Sequence, residues 1–360
     1  MSNDPRDING DKLKKALWLL GRNPELKQAF IEWMLKAEKS INYSQGSIRE
    51  DITGPIVDAL HSEMDEYQKE LSDGTLFTFL FRTKIARDFL MSDQEKPNHV
   101  WEPQTTKLLL MLVKATKGDV LVGGAYFGDQ AILLAKAIQA EGRWLHGFEP
   151  NSDQAGMFAR NVSLNQLTNV KINKLGLWSS SSVKLKLDGF DSFANAIEAS
   201  ESEDGFQTIT IDEYVASQPC QLSLIHLDIE GAELAALKGA AHTIATSKPD
   251  IVFEVHRSYV DWSNGLENTE ICKYLLQFGY HIFAIRDFNT HIDMKGYPVE
   301  LIPVSDVYLE GPPHGFNMLA IHDVGRINSS DYLVVKNVSP KLLLHKDPQL
   351  HHPSYGFNAS

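Results

Sequence analysis

A short aliphatic strand that runs directly into a glycine-rich turn is the feature that most constrains the fold of this chain. Val120 to Val122 form the apolar, β-branched run that a buried parallel strand requires. Gly123, Gly124 and Gly128 follow, and glycines allow a tight turn whose backbone approaches a ligand closely. Residues 131–138 then predict a helix. A strand, a glycine turn and a helix N-terminus together are typical of a nucleotide-type pocket.

Strands and helices are predicted to alternate around this turn. The predicted strands are Asp119–Val122, Trp144–Phe148, Val170–Leu175, Leu222–Asp228, Ile251–Val255 and Tyr280–Ala284. The predicted helices are Thr105–Lys114, Asp129–Gln139, Asp153–Leu164, Gly231–Thr243 and Glu270–Phe278. This alternation favours an α/β fold with a Rossmann-like, mostly parallel sheet and helices on both faces. Ligands in such sheets bind at the carboxyl ends of the strands, so the residues after each strand are the candidate site.

Three regions are predicted along the chain. Helical periodicity in residues 1–95 predicts an N-terminal helical region that acts as a packed cap, a lid or a dimerisation surface. Residues 96–297 form the Rossmann-like core. Residues 298–360 are less periodic and predict late strands at Val307–Leu309 and Met318–Ile321, followed by an irregular tail.

Composition narrows the class of partner. The 360 residues are 43% hydrophobic and 22% charged, as in ordinary globular proteins. A formal net charge of -13 argues against nucleic acid or an anionic membrane as the main partner. No apolar run is long enough for a membrane span. The 2 cysteines, Cys220 and Cys272, imply no disulfide framework and predict a cytoplasmic location.

An acidic residue follows the second predicted strand, about 20 residues beyond the glycine turn. Doubly wound folds place at this point the carboxylate that binds ribose hydroxyls. Glu149 can accept two hydrogen bonds from a cis-diol, and Pro150 and Asn151 continue the same turn. A solvated acid that caps the next helix is the alternative, but the glycine turn upstream favours ribose binding.

A dense acidic cluster ends the strand that begins at Leu222. Asp228 lies at the end of that strand, and Glu230 and Glu233 follow around Gly231. Several carboxylates buried together are destabilising, because they lose hydration and repel one another. The preference of glutamates for a helix N-terminus explains part of the cluster, but it does not explain Asp228. The cluster therefore indicates a ligand, a metal or another cation.

Five segments in this order resemble the FkbM family of S-adenosylmethionine-dependent methyltransferases, over roughly Val100 to His256. The segments are Glu102-Pro103, Gly124–Asp129, Phe148–Asn151, Thr210–Tyr214 and Asp228–Glu233. The resemblance implies a seven-stranded Rossmann-like sheet and transfer of a methyl group from S-adenosyl-L-methionine to a hydroxyl oxygen. It implies as acceptor a hydroxyl of a sugar or of a related natural product.

The resemblance also implies roles for individual residues. The Gly124–Gly128 turn would approach the methionine part of the cofactor, Glu149 would hold the ribose, and Glu102 would lie near the amino group. Asp228 would face the transferred methyl group and the acceptor. The residues assigned to cofactor binding are thus Glu102, Gly123, Gly124, Ala125, Gly128, Asp129, Glu149, Pro150, Asn151 and Asp228.

The glycine turn departs from the family pattern at two positions. Val122 stands where the family usually has an acid, and Tyr126 stands where it usually has asparagine. Either Glu102 or Asp129 replaces the missing acid, or cofactor affinity is low, or the protein is a non-catalytic binding or partner protein on the same fold. An NAD-dependent enzyme is a weaker alternative, because the turn does not fit the dinucleotide fingerprint.

The candidate catalytic residues are Asp228, His256 and Glu230. His256 ends the strand after the acidic cluster, two residues beyond Glu254, and a histidine there can remove a hydroxyl proton. A surface histidine is an equally good interpretation. Asp228, Glu230, Glu254 and His256 offer ligands for Mg²⁺, but their spacing matches no recognised metal motif, so no metal ligand is assigned.

Overall fold

The computed structural model describes residues 10–42, 47–188, 195–198, 205–288, 296–309 and 315–342. The predicted C-terminal tail, from His345 onward, lies outside these residues. The N-terminal region contains α1 (Gly10–Leu20), α2 (Pro24–Ser40), α3 (Gly54–Leu60) and α4 (Lys84–Leu90). It also contains a two-stranded antiparallel hairpin, β1 (Glu66–Glu70) and β2 (Leu76–Leu80), where the sequence interpretation expected helix.

A large mixed sheet forms the centre of the molecule, and its described part has nine strands. Its strands are β3 (Asp119–Gly123), β4 (Leu145–Phe148), β5 (Val170–Asn173), β10 (Leu222–Leu227), β11 (Asp250–Val255), β12 (His281–Ile285), β13 (Val299–Pro303), β14 (Phe316–Ile321) and β15 (Tyr332–Val334). Their spatial order is β15-β13-β12-β14-β11-β10-β3-β4-β5. The strands from β11 to β5 pair in parallel, whereas β14 is antiparallel to both β11 and β12.

Helices cover both faces of this sheet, as predicted. They are α5 (Pro103–Ala115), α6 (Ala131–Gln139), α7 (Ser152–Leu164), α8 (Ile211–Ser217), α9 (Glu233–Lys238), α10 (Ala241–Ser247) and α11 (Glu270–Gln277). Because side chains alternate along a strand, Val120 and Val122 pack in one buried cluster with α5, α6 and α7. Leu121 packs in a second cluster with α8 to α11. The two cores lie on opposite faces of the sheet.

A smaller sheet lies beside the carboxyl end of β5. It contains β6 (Gly176–Leu177), β7 (Lys184–Asp188), β8 (Asn195–Glu198) and β9 (Phe206–Ile209), in the order β6-β9-β7-β8. Leu177, Leu185 and Phe206 from this sheet reach the central cavity described below. The predicted strand at 170–175 therefore ends early, and the chain turns into a separate sheet.

Three sequence predictions about elements were wrong in detail. The predicted helix Gly231–Thr243 is two helices, α9 and α10, which are separated at Gly239. Gly239 approaches the Trp178 backbone closely, since a Cβ there would lie 2.2 Å from the Trp178 carbonyl oxygen. Val307 forms only an isolated bridge to Val338 rather than a strand. The central sheet has nine described strands instead of seven, because β13 and β15 extend its antiparallel side.

Candidate active site

A cavity of about 380 Å³ opens at the carboxyl ends of β3, β4 and β10. The predicted site residues that line it are Glu102, Gly123, Gly124, Ala125, Asp129, Glu149, Pro150, Asn151, Asp228 and Glu230. The structure therefore brings together residues from four separate segments of the chain. Gly128 and His256 are not among the described residues that line the cavity.

The glycine turn packs directly against the end of β10. Gly124 has φ +75°, and a Cβ there would lie 1.8 Å from the Asp228 carbonyl oxygen, so only glycine fits. The amides of Gly124 and Ala125 both donate to the Phe148 carbonyl, each at 3.0 Å. Gly128 faces away from the cavity, because a Cβ there would meet the Phe158 ring at 2.6 Å. Gly128 therefore lets the turn pack closely against α7, and its contact with the cofactor stays a prediction.

Glu149 ties the glycine turn to the start of α7. Its Oε2 accepts the Tyr126 amide at 2.9 Å, and its Oε1 accepts the Asn151 amide at 2.9 Å. Asn151 in turn caps α7 through the Asp153 amide at 2.9 Å. Burial raises the pKa of Glu149 to about 7, against the two amide hydrogen bonds that favour its ionised form. Each carboxylate oxygen keeps a second lone pair with which to accept a ligand hydroxyl.

Three carboxylates from different segments form the acidic wall of the cavity. Glu102 begins α5, Asp129 ends the glycine turn and Asp228 follows β10. Burial and the neighbouring acids Asp287, Asp228 and Asp129 raise the pKa of Glu102 well above its usual value. Burial also raises the pKa of Asp129 to about 7, with Asp228 adding to the shift, and the pKa of Asp228 to about 6. The acidic wall is therefore a site that favours a cation.

Glu102 is held in a strained conformation by a partner from the far side of the chain. It adopts φ +46°, and its Oε2 accepts a hydrogen bond from Asn317 Nδ2 at 2.8 Å. Left-handed backbone at a glutamate is uncommon and costs energy. Asp287 fixes the following turn, because its carboxylate accepts the Gln104 amide at 3.0 Å and the Thr105 amide at 2.6 Å. Sequence reasoning missed both Asn317 and Asp287, which carry no local motif.

A second group of carboxylates lies beside the acidic wall. One oxygen each of Asp228, Glu230 and Glu254 lies within 4.8 Å of the others. Burial, Asp228 and Glu233 raise the pKa of Glu230 to about 9, and Glu254 also accepts a hydrogen bond from the Tyr259 hydroxyl. Glu233 is accounted for by local structure, since it accepts the Ile229 amide at 2.8 Å and the Gly231 amide at 2.9 Å.

His256 stands apart from this group. Its Nδ1 accepts the Ser258 amide at 3.0 Å, and its ring lies 5.6 Å from the Tyr259 ring. His256 is not part of the group formed by Asp228, Glu230 and Glu254, and its role as a base stays a prediction. The strand that precedes it ends at Val255, as predicted.

Several lining residues were missed by sequence reasoning. They are Ile85, Trp101, Gln130, Gln154, Leu175, Leu185 and Phe206. Gln130 has the clearest signal, since it directly follows Asp129 in the glycine turn. Its Oε1 is buried without a hydrogen-bond partner among the described residues. His226, predicted as a core histidine, also lines the cavity, and within the described chain neither of its ring nitrogens has a hydrogen-bond partner. Burial lowers its pKa to about 4.

The N-terminal region contacts the cavity at one edge. The Tyr126 hydroxyl in the glycine turn lies 2.9 Å from the Thr83 hydroxyl, and Thr83 also caps α4. Ile85 lines the cavity, and the Lys84 ammonium lies 5.4 Å from the Trp101 ring. Tyr126, one of the two departures from the family pattern, thus joins the turn to α4. Its backbone has φ +48°, a region that asparagine enters more readily than tyrosine.

Comparison with known proteins identifies the central segment. Residues 123–282 match the family model described as the methyltransferase FkbM domain. A search of curated proteins gives no match. In the described part of the chain, no helix is long and apolar enough to cross a membrane.

Solved methyltransferase structures resemble this chain remotely. Methyltransferase FkbM from Methylobacillus flagellatus KT is 16% identical, with a TM-score of 0.34, over 57% of this chain and 43% of that chain. This chain therefore spans less than half of that protein. An O-methyltransferase from Bacillus cereus in complex with SAH is 14% identical, with a TM-score of 0.35, over 62% of this chain and 84% of that chain. M. jannaschii TYW2 in complex with AdoMet is 13% identical, with a TM-score of 0.33, over 72% of this chain and 87% of that chain.

Proposed function

Because residues 123–282 are an FkbM methyltransferase domain, we propose that the chain transfers a methyl group from S-adenosyl-L-methionine to a hydroxyl oxygen of a small molecule. The acceptor is a sugar or a related natural product. The observation that carries the proposal is the acidic wall, Glu102, Asp129 and Asp228, which faces a cavity next to Glu149. S-adenosyl-L-methionine carries an ammonium and a sulfonium, and both are cations that this wall favours.

The residues of the cavity fit this cofactor chemically. Glu149 has acceptor positions left for ribose hydroxyls, and Gln130 Oε1 is a buried acceptor without a partner in the described chain. Trp101, Phe148 and Leu177 supply apolar surface for a flat base. Bound there, S-adenosyl-L-methionine would supply an electrophilic methyl group. The raised pKa values of the acidic wall indicate carboxylates that lack a compensating charge.

The missing acid at Val122 does not remove the negative charge from the cavity. Val122 is buried in the sheet, with 2% of its surface exposed. Glu102 and Asp129 line the same cavity from outside the strand and supply carboxylates in its place. This arrangement supports cofactor binding over the alternative of a protein that has lost the site.

Asp228 is the proposed catalytic base. It lies at the edge shared by the acidic wall and the Glu230–Glu254 pair, so it faces both the proposed cofactor site and the space beside it. A carboxylate with a pKa of about 6 is ionised at neutral pH and accepts a proton more readily than an ordinary aspartate. Its main contribution beyond proton transfer is to orient the acceptor oxygen, since alignment lowers the barrier to displacement.

Glu230, Glu254 and Tyr259 support a hydroxyl-rich acceptor. A pKa raised to about 9 leaves Glu230 protonated near neutral pH, and burial also raises the pKa of Glu254 well above its usual value. A protonated carboxyl both donates and accepts hydrogen bonds. Sugar hydroxyls also both donate and accept. A polar, uncharged acceptor suits this part of the cavity better than an anion, which Asp228 would repel.

Two measurements test the proposal. Isothermal titration of the purified chain with S-adenosyl-L-methionine, S-adenosylhomocysteine and NAD should show binding of the first two only. Incubation with labelled cofactor and a panel of sugars and glycosylated metabolites, read by mass spectrometry, should then give a methylated product.

The outcomes separate the competing functions. Binding of neither sulfur compound contradicts the proposal, and binding of NAD alone favours a dehydrogenase. Binding without methylation of any acceptor, including the small molecules of a cell extract, favours a non-catalytic binding protein.

A further inference from the structure

A second cluster of ligand-type side chains lies at the opposite end of the central sheet. Asp119 begins β3, His146 lies within β4, and Cys220 precedes β10 by two residues. One ligand atom of each lies within 4.8 Å of the other two. These residues are far apart in sequence and meet because β3 pairs in parallel with both β4 and β10. The cluster is separated from the proposed methyltransferase cavity by the length of β3.

We propose that Asp119, His146 and Cys220 bind a Zn²⁺ ion, a function separate from methyl transfer. Carboxylate oxygen, imidazole nitrogen and thiolate sulfur are the three donor types that Zn²⁺ takes in proteins. The mixture excludes Mg²⁺ and Ca²⁺, which prefer oxygen donors alone. Three protein ligands leave the fourth tetrahedral position for water or another small ligand. Binding releases the thiol proton to solvent, because only the thiolate coordinates the metal.

The spacing of the oxygen and the nitrogen fits a shared metal better than a direct hydrogen bond. His146 Nε2 lies 3.4 Å from Asp119 Oδ2. A good N–H···O hydrogen bond has its heavy atoms about 2.7–3.2 Å apart. Two ligands bound to one Zn²⁺ at about 2.0–2.1 Å and at the tetrahedral angle lie about 3.4 Å apart. Cys220 Sγ needs to approach to about 3.6 Å, which rotation of a partly exposed side chain provides.

Each of the three ligands is oriented by a further group. Asp119 Oδ1 accepts the Trp144 amide at 2.8 Å, so Oδ2 is left to face the histidine. His146 Nδ1 lies 2.8 Å from the Tyr214 hydroxyl, and a proton on Nδ1 puts the Nε2 lone pair toward Asp119. The Cys220 amide donates to the Gln218 carbonyl at 2.8 Å, which fixes the backbone that carries the thiol. Outer hydrogen bonds of this kind are characteristic of metal sites.

Charge and access are both compatible with a cation. Asp119 and the Cys220 thiolate supply two negative charges, against one ammonium nearby at Lys171. That ammonium is already bound to Gln218 Oε1 at 2.8 Å. Asp119 also lines a second cavity of about 550 Å³ at the amino ends of β3 and β10, and Cys220 is partly exposed.

Cobalt substitution tests the site with the metal alone. Addition of Co²⁺ to the reduced, metal-free chain should give one equivalent of binding and a thiolate-to-cobalt charge-transfer band in the near ultraviolet. Zn²⁺ should abolish the band by displacement. The chain has only 2 cysteines, so the thiolate is either Cys220 or Cys272.

Three variants locate the metal. Cys220→Ser should lose the band, whereas the matched control Cys272→Ser should keep it, because Cys272 lies on the buried face of α11. Asp119→Asn keeps the oxygen that accepts the Trp144 amide and should weaken Zn²⁺ binding at least about tenfold. Circular dichroism confirms that each variant is folded.

Several results overturn the proposal. They are a folded, reduced wild-type chain without the band, a band that survives Cys220→Ser, and Zn²⁺ affinity unchanged by Asp119→Asn. Absence of the band in the wild-type chain would mean that His146 and Asp119 only contact each other and that the Cys220 thiol binds no metal. Because the readout is metal binding, it is independent of whether the chain methylates anything.

Discussion

At the scale of single residues, the site depends on side chains that serve local structure and face the cavity at once. Glu149 holds two backbone amides of the glycine turn and keeps lone pairs directed to a ligand. Glu102 begins a helix and contributes to the acidic wall. Glu233 differs, because both its oxygens are used by backbone amides and it does not line the cavity. Position in the motif alone would not have separated Glu233 from Asp228.

Replacement of Glu149 by alanine should weaken cofactor binding. The variant loses the carboxylate proposed to accept ribose hydroxyls and frees the amides of Tyr126 and Asn151. Hydrogen bonds to a charged group contribute about 1.5–3 kcal/mol, so the Kd for S-adenosyl-L-methionine should rise at least about tenfold. Isothermal titration measures the change. Asp153→Ala, which removes an exposed acid in the first turn of α7, is the matched control and should leave the Kd within about twofold. An unchanged Kd for Glu149→Ala would remove this residue from the cofactor site.

Asp228→Asn should reduce turnover much more than it reduces cofactor binding. The amide keeps the shape of the side chain but cannot accept the acceptor's proton, and general-base catalysis contributes about 10²–10⁴-fold. Steady-state kinetics and titration on the same preparation separate the two effects. Asp261→Asn, an exposed carboxylate in the loop after β11, serves as the control and should match the wild type. Normal turnover by Asp228→Asn would show that this carboxylate is not the base.

At the scale of elements, α7 supplies hydrogen-bond partners for the edge of the β1–β2 hairpin in the N-terminal region. Asn161 Oδ1 accepts the Thr78 amide at 2.7 Å, and its Nδ2 donates to the Thr78 carbonyl at 2.9 Å. One turn later, Asn165 makes the same pair of contacts with Leu76, at 2.9 Å and 2.7 Å. The two asparagines therefore take the place of a neighbouring strand along β2. They satisfy an edge that would otherwise carry unpaired backbone groups.

Asn161→Ala should destabilise the whole chain. The side chain is fully buried and also donates to the Phe127 carbonyl at 2.8 Å, so its removal leaves several backbone groups unpaired. Each unsatisfied buried group costs about 1–3 kcal/mol, and a loss of about 3 kcal/mol in the free energy of unfolding is expected. Denaturant unfolding measures it. Ser163→Ala, exposed on the same helix, should change the free energy by less than about 0.5 kcal/mol. A loss below about 1 kcal/mol for Asn161→Ala would mean that water replaces these contacts.

The sequence predicted the parallel part of the fold well and the N-terminal region poorly. Each predicted strand from residue 119 to residue 284 has a counterpart within a few residues, because strands buried on both faces are continuous apolar runs, including the antiparallel β12. The β1–β2 hairpin was missed although Asp73-Gly74 is a turn signal, with Gly74 at φ +81°. Apolar residues before this turn recur at helical spacing, and that pattern led to a prediction of helix throughout the region. Strands β13 and β15 were missed because they lie beyond the predicted core.

The candidate site was predictable where it follows a strand and not where distant segments meet. Glu149 and Asp228 stand directly after β4 and β10, so the rule for parallel sheets located them. Asn317 reaches Glu102 across 215 positions of sequence, and only the antiparallel insertion of β14 brings them together. The position of His256 outside the cavity lining was not predictable for a similar reason, since the direction of the loop after β11 depends on contacts that no local pattern encodes.

At the scale of the whole molecule, the net charge is -13, and buried carboxyl groups with raised pKa values lie close together in and beside the cavity. The pKa values of Asp129 and Glu149 are raised to about 7, and that of Glu233 to about 8, with burial as the first cause in each. In the unfolded chain these groups ionise near pH 4. The folded state therefore retains protons that the unfolded state has released, and its stability decreases as pH rises through these pKa values.

The ligand-free chain should accordingly lose thermal stability from about pH 6.5 to about pH 8. Below this range the buried His61 and His226, whose pKa values are lowered to about 4, have the opposite effect and make the stability rise with pH. Above this range, burial lowers the pKa of Lys69 to about 8, and this group also makes the stability rise with pH. Scanning calorimetry at constant ionic strength measures the Tm. Saturating S-adenosyl-L-methionine should flatten the decrease, because its cations compensate the ionised carboxylates. A Tm that rises across this range would contradict the assignment.

The position of β14 has a consequence for how the protein is made. This strand is translated after β12, yet it lies between β11 and β12 in the sheet. On the ribosome, β11 and β12 therefore emerge with open edges that the chain itself cannot close until residue 321 leaves the exit tunnel. During that interval Glu102 has no Asn317 to bind. Synthesis of this chain thus passes through a stage at which β11 and β12 carry unpaired edges that are open to association with other chains.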